Sequence, residues 1–316
     1  MRLVFLDHKT MAPYVKLRRP NFAHDWINYD YTEPEQIQER LQNADIAIVN
    51  KVELDAQLIE TLPHLKLIVL AATGSDNVDL DACRKRGVAV ANIQNYTQSS
   101  VPEHALSLML ALSRNLNAYR SSITEGRWQQ SGQFCYFDYP VRDLNGQTLG
   151  LIGYGTIAKD LEKLARALGM NILVAARKGQ TPSEGRVSFE HLLAEADVIS
   201  LHCPLTADTQ HLIGEAEFKL MKNDALLINV GRGGLVDEAA LLAALKTQQI
   251  GGAGVDVVSE EPPALDNPLM QALAYPNFIL TPHVAWASAG SMQRLADQLI
   301  DNIDAFVAGK SLNRLV

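Results

Sequence analysis

The run TLGLIGYGTIAKDLEKLARAL at 148–168 constrains the fold more than any other part of the chain. An apolar strand pattern passes straight into Gly153-Tyr154-Gly155-Thr156-Ile157-Ala158, and a helical pattern follows from Lys159 to Leu168. Gly153 permits the tight turn, Gly155 lets a pyrophosphate approach the backbone, and the helix amino terminus offers unpaired N–H groups and partial positive charge. A glycine turn of no consequence is the alternative, and the strand before and helix after argue against it. The expectation is the opening of a dinucleotide-binding unit.

Strand–helix alternation extends over the rest of the chain. Short apolar runs at 3–6, 44–50, 65–74 and 88–93 read as buried parallel strands, with helical spacing in EPEQIQERLQ and DAQLIETLP between them. A long helix is expected from Val101 to about Gly126, with Pro102 in its first turn and an apolar face through Leu106, Leu108, Met109, Leu110 and Leu112. A second series follows the glycine turn: NILVAA, DVISLHCP, ALLINVG, GGAGVDVV and NFILTPH. The closing stretch SMQRLADQLIDNIDAFVAGK reads as a helix ended by Gly309 and expected to return to the first domain.

At 316 residues the chain is too long for one core, so two domains are expected: 1–98 with 288–316, and 99–287. A net charge of −8 without any basic cluster excludes a nucleic-acid surface, so an anionic substrate must be met by a local site. No apolar run approaches a membrane span. Cys83, Cys135 and Cys203 show no CxxC or metal-ligand spacing, which fits a reducing cytoplasm and no metal.

About twenty residues beyond the glycines, where an acid would hold a free ribose diol, stand Ala175 and Ala176 followed by Arg177 and Lys178. Two cations there favour a 2′-phosphate, so NADP(H) is expected to be preferred, with NAD(H) the alternative. A charge-assisted hydrogen bond worth about 1.5–3 kcal/mol is enough to set that preference. Two solvated surface charges are the other reading.

Arg232 in NVGRGGLVDE, Glu261 in DVVSEEPP and His283 in LTPHVAWAS all stand where strands end and turns begin. Reduction of a 2-oxo acid needs a cation for the carboxylate, a proton donor for the carbonyl oxygen and a group to tune that donor. Arginine, histidine and glutamate can fill those roles.

These motifs, in this order and over essentially the whole length, resemble the D-isomer-specific 2-hydroxy acid dehydrogenase family. The intervals of 24 residues from Arg232 to Asp256 and 5 on to Glu261 fit its pattern, and ATGSDNVDLDAC at 72–83 is similar to its substrate loop. VPEHALSLMLAL, QFCYFDYP and TPHVAWAS look like the hydroxypyruvate reductase and glycerate dehydrogenase branch. Two departures are Ala176, where many relatives have aspartate, and Ala158, where many have a third glycine.

The resemblance implies two Rossmann-like α/β domains with doubly wound parallel sheets, a flavodoxin-like substrate domain and a dinucleotide-binding domain, with the active site in the cleft between. It implies reduction of a small 2-oxo acid, hydroxypyruvate to D-glycerate or glyoxylate to glycolate. Arg232 would bind the substrate carboxylate, aided by backbone N–H groups near Thr73 and Gly74. His283 would protonate the carbonyl oxygen as hydride arrives, with Glu261 bonded to the imidazole and favouring its charged form. Asp256 stands behind them or beside the cofactor. Lys51 either adds charge at the cleft mouth or is solvated, and Trp286 either walls the substrate or packs. Cofactor contacts are implied for Gly153, Tyr154, Gly155, Thr156, Ile157, Ala176, Arg177, Lys178, Cys203, Pro204, Val230, Gly231, Arg232, Asp256 and His283. A homodimer through the cofactor domains is implied, the 101–126 helix suiting its interface or the core equally well. The alternatives are a reductase of another 2-oxo acid such as 2-ketogluconate, and a dinucleotide-sensing interaction protein of the same fold.

Overall fold

The computed structural model describes residues 1–316, which divide into two compact units, Met1–Tyr96 with Ala287–Val316, and Thr97–Trp286. In the first, strands β1 (Arg2–Phe5), β2 (Asp25–Asn28), β3 (Ile46–Val49), β4 (Leu67–Leu70) and β5 (Ala89–Ala91) form a wholly parallel sheet in the order β2-β1-β3-β4-β5. This is the flavodoxin-like order. Every residue of β3 and β4 is fully buried, which is why both are continuous apolar runs rather than alternating ones. The edge strand β2 was not expected: its sequence DWIN has polar ends and only half-buried side chains between them, so it carries no apolar run. Helices α1 (Ile37–Leu41), α2 (Ala56–Glu60) and α3 (Leu80–Arg86) connect the strands. Asp55 and Asp79 cap the last two by accepting from the N–H groups of Leu58 (2.7 Å) and Ala82 (2.8 Å).

The second unit opens with α4 (Ser100–Ser113), α5 (Leu116–Thr124) and α6 (Arg127–Ser131). The single helix expected from Val101 to about Gly126 is therefore broken. Asn115 turns left-handed at φ +50° and donates its side-chain amide to the Pro140 carbonyl at 2.6 Å, a conformation asparagine tolerates better than most residues. Leu110 is also not on the buried face of α4, which is formed by Val101, Ala105, Leu108, Met109 and Leu112.

Strand β6 (Thr148–Ile152) then begins a six-stranded parallel sheet with α7 (Thr156–Ala167), β7 (Asn171–Val174), α8 (Phe189–Glu195), β8 (Val198–Leu201), α9 (Glu215–Phe218), β9 (Leu226–Asn229), α10 (Glu238–Lys246), β10 (Gly252–Val255), α11 (Pro268–Ala272) and β11 (Phe278–Leu280). Its order, β11-β10-β9-β8-β6-β7, reverses direction between β6 and β8. One face of the sheet is covered by a core that joins α4 and α7 to Leu149, Leu151, Val198 and Ile228. The other is covered by Leu192, Leu193, Phe218, Leu241 and Leu245. Finally, α12 (Ala289–Val307) belongs to the first unit, where Asn302 Nδ2 donates to the Asn92 carbonyl at 2.8 Å and Gln298 Nε2 to that of Gln94 at 2.9 Å. No helix is long and apolar enough to cross a membrane.

Candidate active site

The crevice beyond the strand ends at a reversal of strand order is where ligands bind in open α/β sheets. Here it is flanked by the turns after β6 and β8, and the two turns touch. Gly153 is left-handed at φ +88°, and a Cβ on it would lie 2.5 Å from the backbone nitrogen of Cys203 and the carbonyl carbon of His202. No side chain fits there. A Cβ on Gly155 would meet nothing within 4 Å, so the second glycine leaves its open side to a ligand rather than to packing. Gly155 also precedes α7 without capping it by a side chain, leaving first-turn N–H groups of Thr156 and Ile157 for an anion. The residues present therefore fit a dinucleotide pyrophosphate. Ala158, in place of a third glycine, is fully buried in the α4–α7 core.

Around this loop the Tyr154 hydroxyl donates to the Glu162 carboxylate, which also accepts from Arg166 Nε at 2.7 Å. The Tyr154 bond foremost, with Arg166 behind it, holds the Glu162 carboxyl below its ordinary range. Lys159 Nζ and Arg186 Cζ stand 5.5 and 6.0 Å from the Tyr154 ring centroid. At the end of β7, Ala176 is buried and Arg177 exposed. Lys178 is not a free cation: its Nζ is 2.8 Å from Glu217 Oε1. Burial pushes the Glu217 carboxyl up, but the Lys178 ammonium and the Gly214 N–H outweigh it and hold the group low. A second cation, not singled out in the sequence, lies near the end of β7. Arg186 donates from Nη1 to the Ala175 carbonyl at 2.8 Å, beside the bridge that pairs Ala175 with Val187.

The turn after β8 contributes His202, Cys203 and Pro204. Burial pushes the His202 imidazole down to about 4, so this histidine is uncharged at neutral pH and cannot be the proton donor. Burial likewise pushes the Cys203 thiol up, which leaves it inert.

After β9 the turn Val230-Gly231-Arg232 is clipped by Asn229, which accepts from the Gly231 N–H (3.1 Å) and donates to the Arg232 carbonyl (2.9 Å). Arg232 Nη1 donates to the Gly231 carbonyl at 2.9 Å, and the side chain remains exposed. Gly233 fixes the far side of the turn, since a Cβ there would fall 1.9 Å from the Val258 carbonyl carbon.

Glu261 and His283 face one another, Glu261 Oε2 lying 2.6 Å from His283 Nδ1 while Glu261 Oε1 accepts from the Val258 N–H at 3.2 Å. That contact occupies Nδ1 and leaves the chemistry of the ring to its other nitrogen, Nε2. His283 is itself left-handed at φ +52°, held by its N–H donating to the carbonyls of Asp256 (2.8 Å) and Thr281 (3.0 Å). Asp256, 1% exposed, accepts from the N–H groups of Val284 (3.0 Å) and Ala285 (2.8 Å) and from the Thr281 hydroxyl (2.5 Å). It thus stands behind His283 and anchors its loop. Trp286 donates its indole N–H to the His283 carbonyl at 2.9 Å and packs against the α4–α7 core.

In the first unit, the turn of Asn50, Lys51 and Val52 after β3 points its three backbone N–H groups at Asp7, at 2.6–3.3 Å. Burial raises the Asp7 carboxyl despite those donors. The Lys51 side chain is exposed. Thr73 and Gly74 follow β4 in a loop held by Thr73 Oγ1 donating to the Ile93 carbonyl (2.7 Å) and Asn92 Nδ2 donating to the Thr73 carbonyl (2.8 Å).

Residues 106–285 match the family described as D-isomer specific 2-hydroxyacid dehydrogenase, NAD binding domain. The chain is similar to the glycerate dehydrogenase of Methylorubrum extorquens, 52% identical over 99% of this chain and 98% of that one. It is 35% identical to the hydroxypyruvate reductase of Blautia hydrogenotrophica over 99% of each. An acyclic imino acid reductase solved with NADPH and D-Arg superposes over the full length of both chains at a TM-score of 0.82 and 28% identity. The chain belongs to the D-isomer-specific 2-hydroxyacid dehydrogenase family. It is an oxidoreductase that acts on a small 2-oxo or 2-hydroxy acid with a nicotinamide dinucleotide.

Proposed function

We propose that the chain reduces hydroxypyruvate to D-glycerate, and glyoxylate to glycolate, with NADPH preferred to NADH. The observation that carries the proton-transfer half of this reading is the 2.6 Å contact between His283 Nδ1 and Glu261, which fixes the ring through one nitrogen and leaves Nε2 for proton transfer. A nicotinamide held after the Gly153–Gly155 turn would supply the hydride for the carbonyl carbon. His283 gives the proton from Nε2 to the carbonyl oxygen, and Arg232 holds the substrate carboxylate. Lys51, Thr73, Gly74 and Trp286 are assigned to the substrate by the same reading. The glycerate dehydrogenase and hydroxypyruvate reductase named above support a short hydroxylated acid as substrate.

The coenzyme preference is supported by Arg177, just after β7, by Arg186, which bonds the Ala175 carbonyl beyond the end of that strand, and by the absence of an acid at Ala176. Initial rates of NADPH and NADH oxidation with hydroxypyruvate, glyoxylate, pyruvate and 2-ketogluconate test both parts. Hydroxypyruvate or glyoxylate with NADPH is expected to be fastest. Arg177→Ala combined with Arg186→Ala should weaken NADPH binding about tenfold to a hundredfold, the value of one or two charge-assisted bonds, and leave NADH binding unchanged. Equal loss for the two coenzymes would remove the 2′-phosphate assignment.

A homodimer and a cytoplasmic location complete the reading. The segment after α5 leaves Phe134 and Phe137 89% and 87% exposed, with Trp128 and Leu116 also open to water, the kind of surface that an interface covers. All three cysteines are free, in keeping with a reducing compartment. Sedimentation at micromolar concentration is expected to give the dimer mass, and Phe134→Ser with Phe137→Ser the monomer mass. A monomeric wild-type chain would refute the assignment.

A further inference from the structure

We infer that His104, on α4, is a positioning residue for His283, acting through Thr281 and Asp256. His104 Nε2 lies 3.0 Å from Thr281 Oγ1. Thr281 has one hydroxyl proton, and it is engaged at 2.5 Å by Asp256 Oδ1, an oxygen that also accepts from the Val284 N–H while Oδ2 accepts from that of Ala285. Oγ1 must therefore accept from His104, and the ring must carry a proton on Nε2. His104 Nε2 is also 3.5 Å from Asp256 Oδ1, and His104 is the one basic side chain within ion-pairing distance of this buried carboxylate. A buried carboxylate lacking its partners is strongly destabilising.

The consequence reaches His283 through the backbone. Asp256 fixes Val284 and Ala285 with its side chain and His283 with its carbonyl, while Ser100 on the same α4 face donates its hydroxyl to the Ala285 carbonyl at 2.5 Å. His283 needs this restraint, because a left-handed backbone is costly for a residue with a Cβ and persists only where its surroundings impose it. Loosening Thr281 and Asp256 would let the imidazole leave its place, and small displacements of a reacting group carry large rate losses.

The inference rests on the assignment of His283 to proton transfer. His104→Leu keeps the volume and removes the donor, whereas His104→Gln keeps an N–H donor near the same place. The leucine variant is expected to lose roughly tenfold or more in kcat, the effect of a lost hydrogen bond to a charged network, with dinucleotide Kd within about twofold of wild type. The glutamine variant should recover most of that loss. Thr281→Val, which deletes the hydroxyl alone, carries the same expectation should His104→Leu fail to fold, and combining the two should add little, since both break one link. Wild-type kcat in the leucine variant, equal damage from glutamine and leucine, or full additivity with Thr281→Val would overturn the inference. Failure of the underlying assignment is read separately, as retained turnover in a His283 variant with His104 intact.

Discussion

Replacing His283 by alanine is expected to lower kcat for 2-oxo acid reduction by about two to four orders of magnitude, the usual loss when a positioned general acid is removed. Binding of the dinucleotide, measured by fluorescence titration without substrate, should stay near the wild-type value. The side chain lies beyond β11, whereas the loop proposed to hold the pyrophosphate, Gly153 and Gly155 with the start of α7, follows β6. His202 cannot substitute for it, because burial keeps that ring neutral down to about pH 4. Glu261→Gln should give a smaller loss, since an amide still orients Nδ1 but brings no charge to the imidazole. Near-normal turnover by His283→Ala would remove the residue from the chemistry.

Arg232→Lys, though it conserves charge, is expected to lower kcat/KM by roughly a hundredfold. A carboxylate is held bidentately by a planar guanidinium, and an ammonium supplies neither the second parallel bond nor the fixed direction. Arg232 also donates its own Nη1 to the Gly231 carbonyl, and the turn beneath it is clamped by Asn229 and by the close packing of Gly233 on Val258. The loss should appear in both KM and kcat, because the proposed role has one group hold the acid in the ground state and polarise its keto oxygen. A lysine variant with unchanged kcat/KM would mean that Arg232 does not meet the carboxylate.

What could be read from the sequence follows from which forces leave a local trace. Strands β3 and β4 are buried throughout and are continuous apolar runs, β6, β8 and β9 are mainly apolar for the same reason, and the Gly153–Gly155 turn is written in adjacent residues. Arg232, Glu261 and His283 stood out because each follows a strand in a recognisable motif, and the structure brings the last two within 2.6 Å of one another. The edge strand β2, with water on part of its surface, left no such run. The break at Asn115 was signalled only by a residue type that tolerates a left-handed backbone, and the apolar spacing on either side concealed it. Partners far apart in the chain left no signal at all. Lys178 meets Glu217 39 residues on, Arg186 reaches Ala175 across a β-bridge, and His104 meets Thr281 177 residues away. Sequence spacing shows the groups that can do chemistry. It does not show which of them are already engaged, nor what holds the rest in place.

The most direct test of the whole account is product analysis after reaction of the purified protein with hydroxypyruvate and NADPH, with glycerate resolved by chiral chromatography. One D-glycerate is expected for each NADPH consumed. L-glycerate as the product, or tight binding of the dinucleotide with no reduction of this or any other 2-oxo acid, would contradict it.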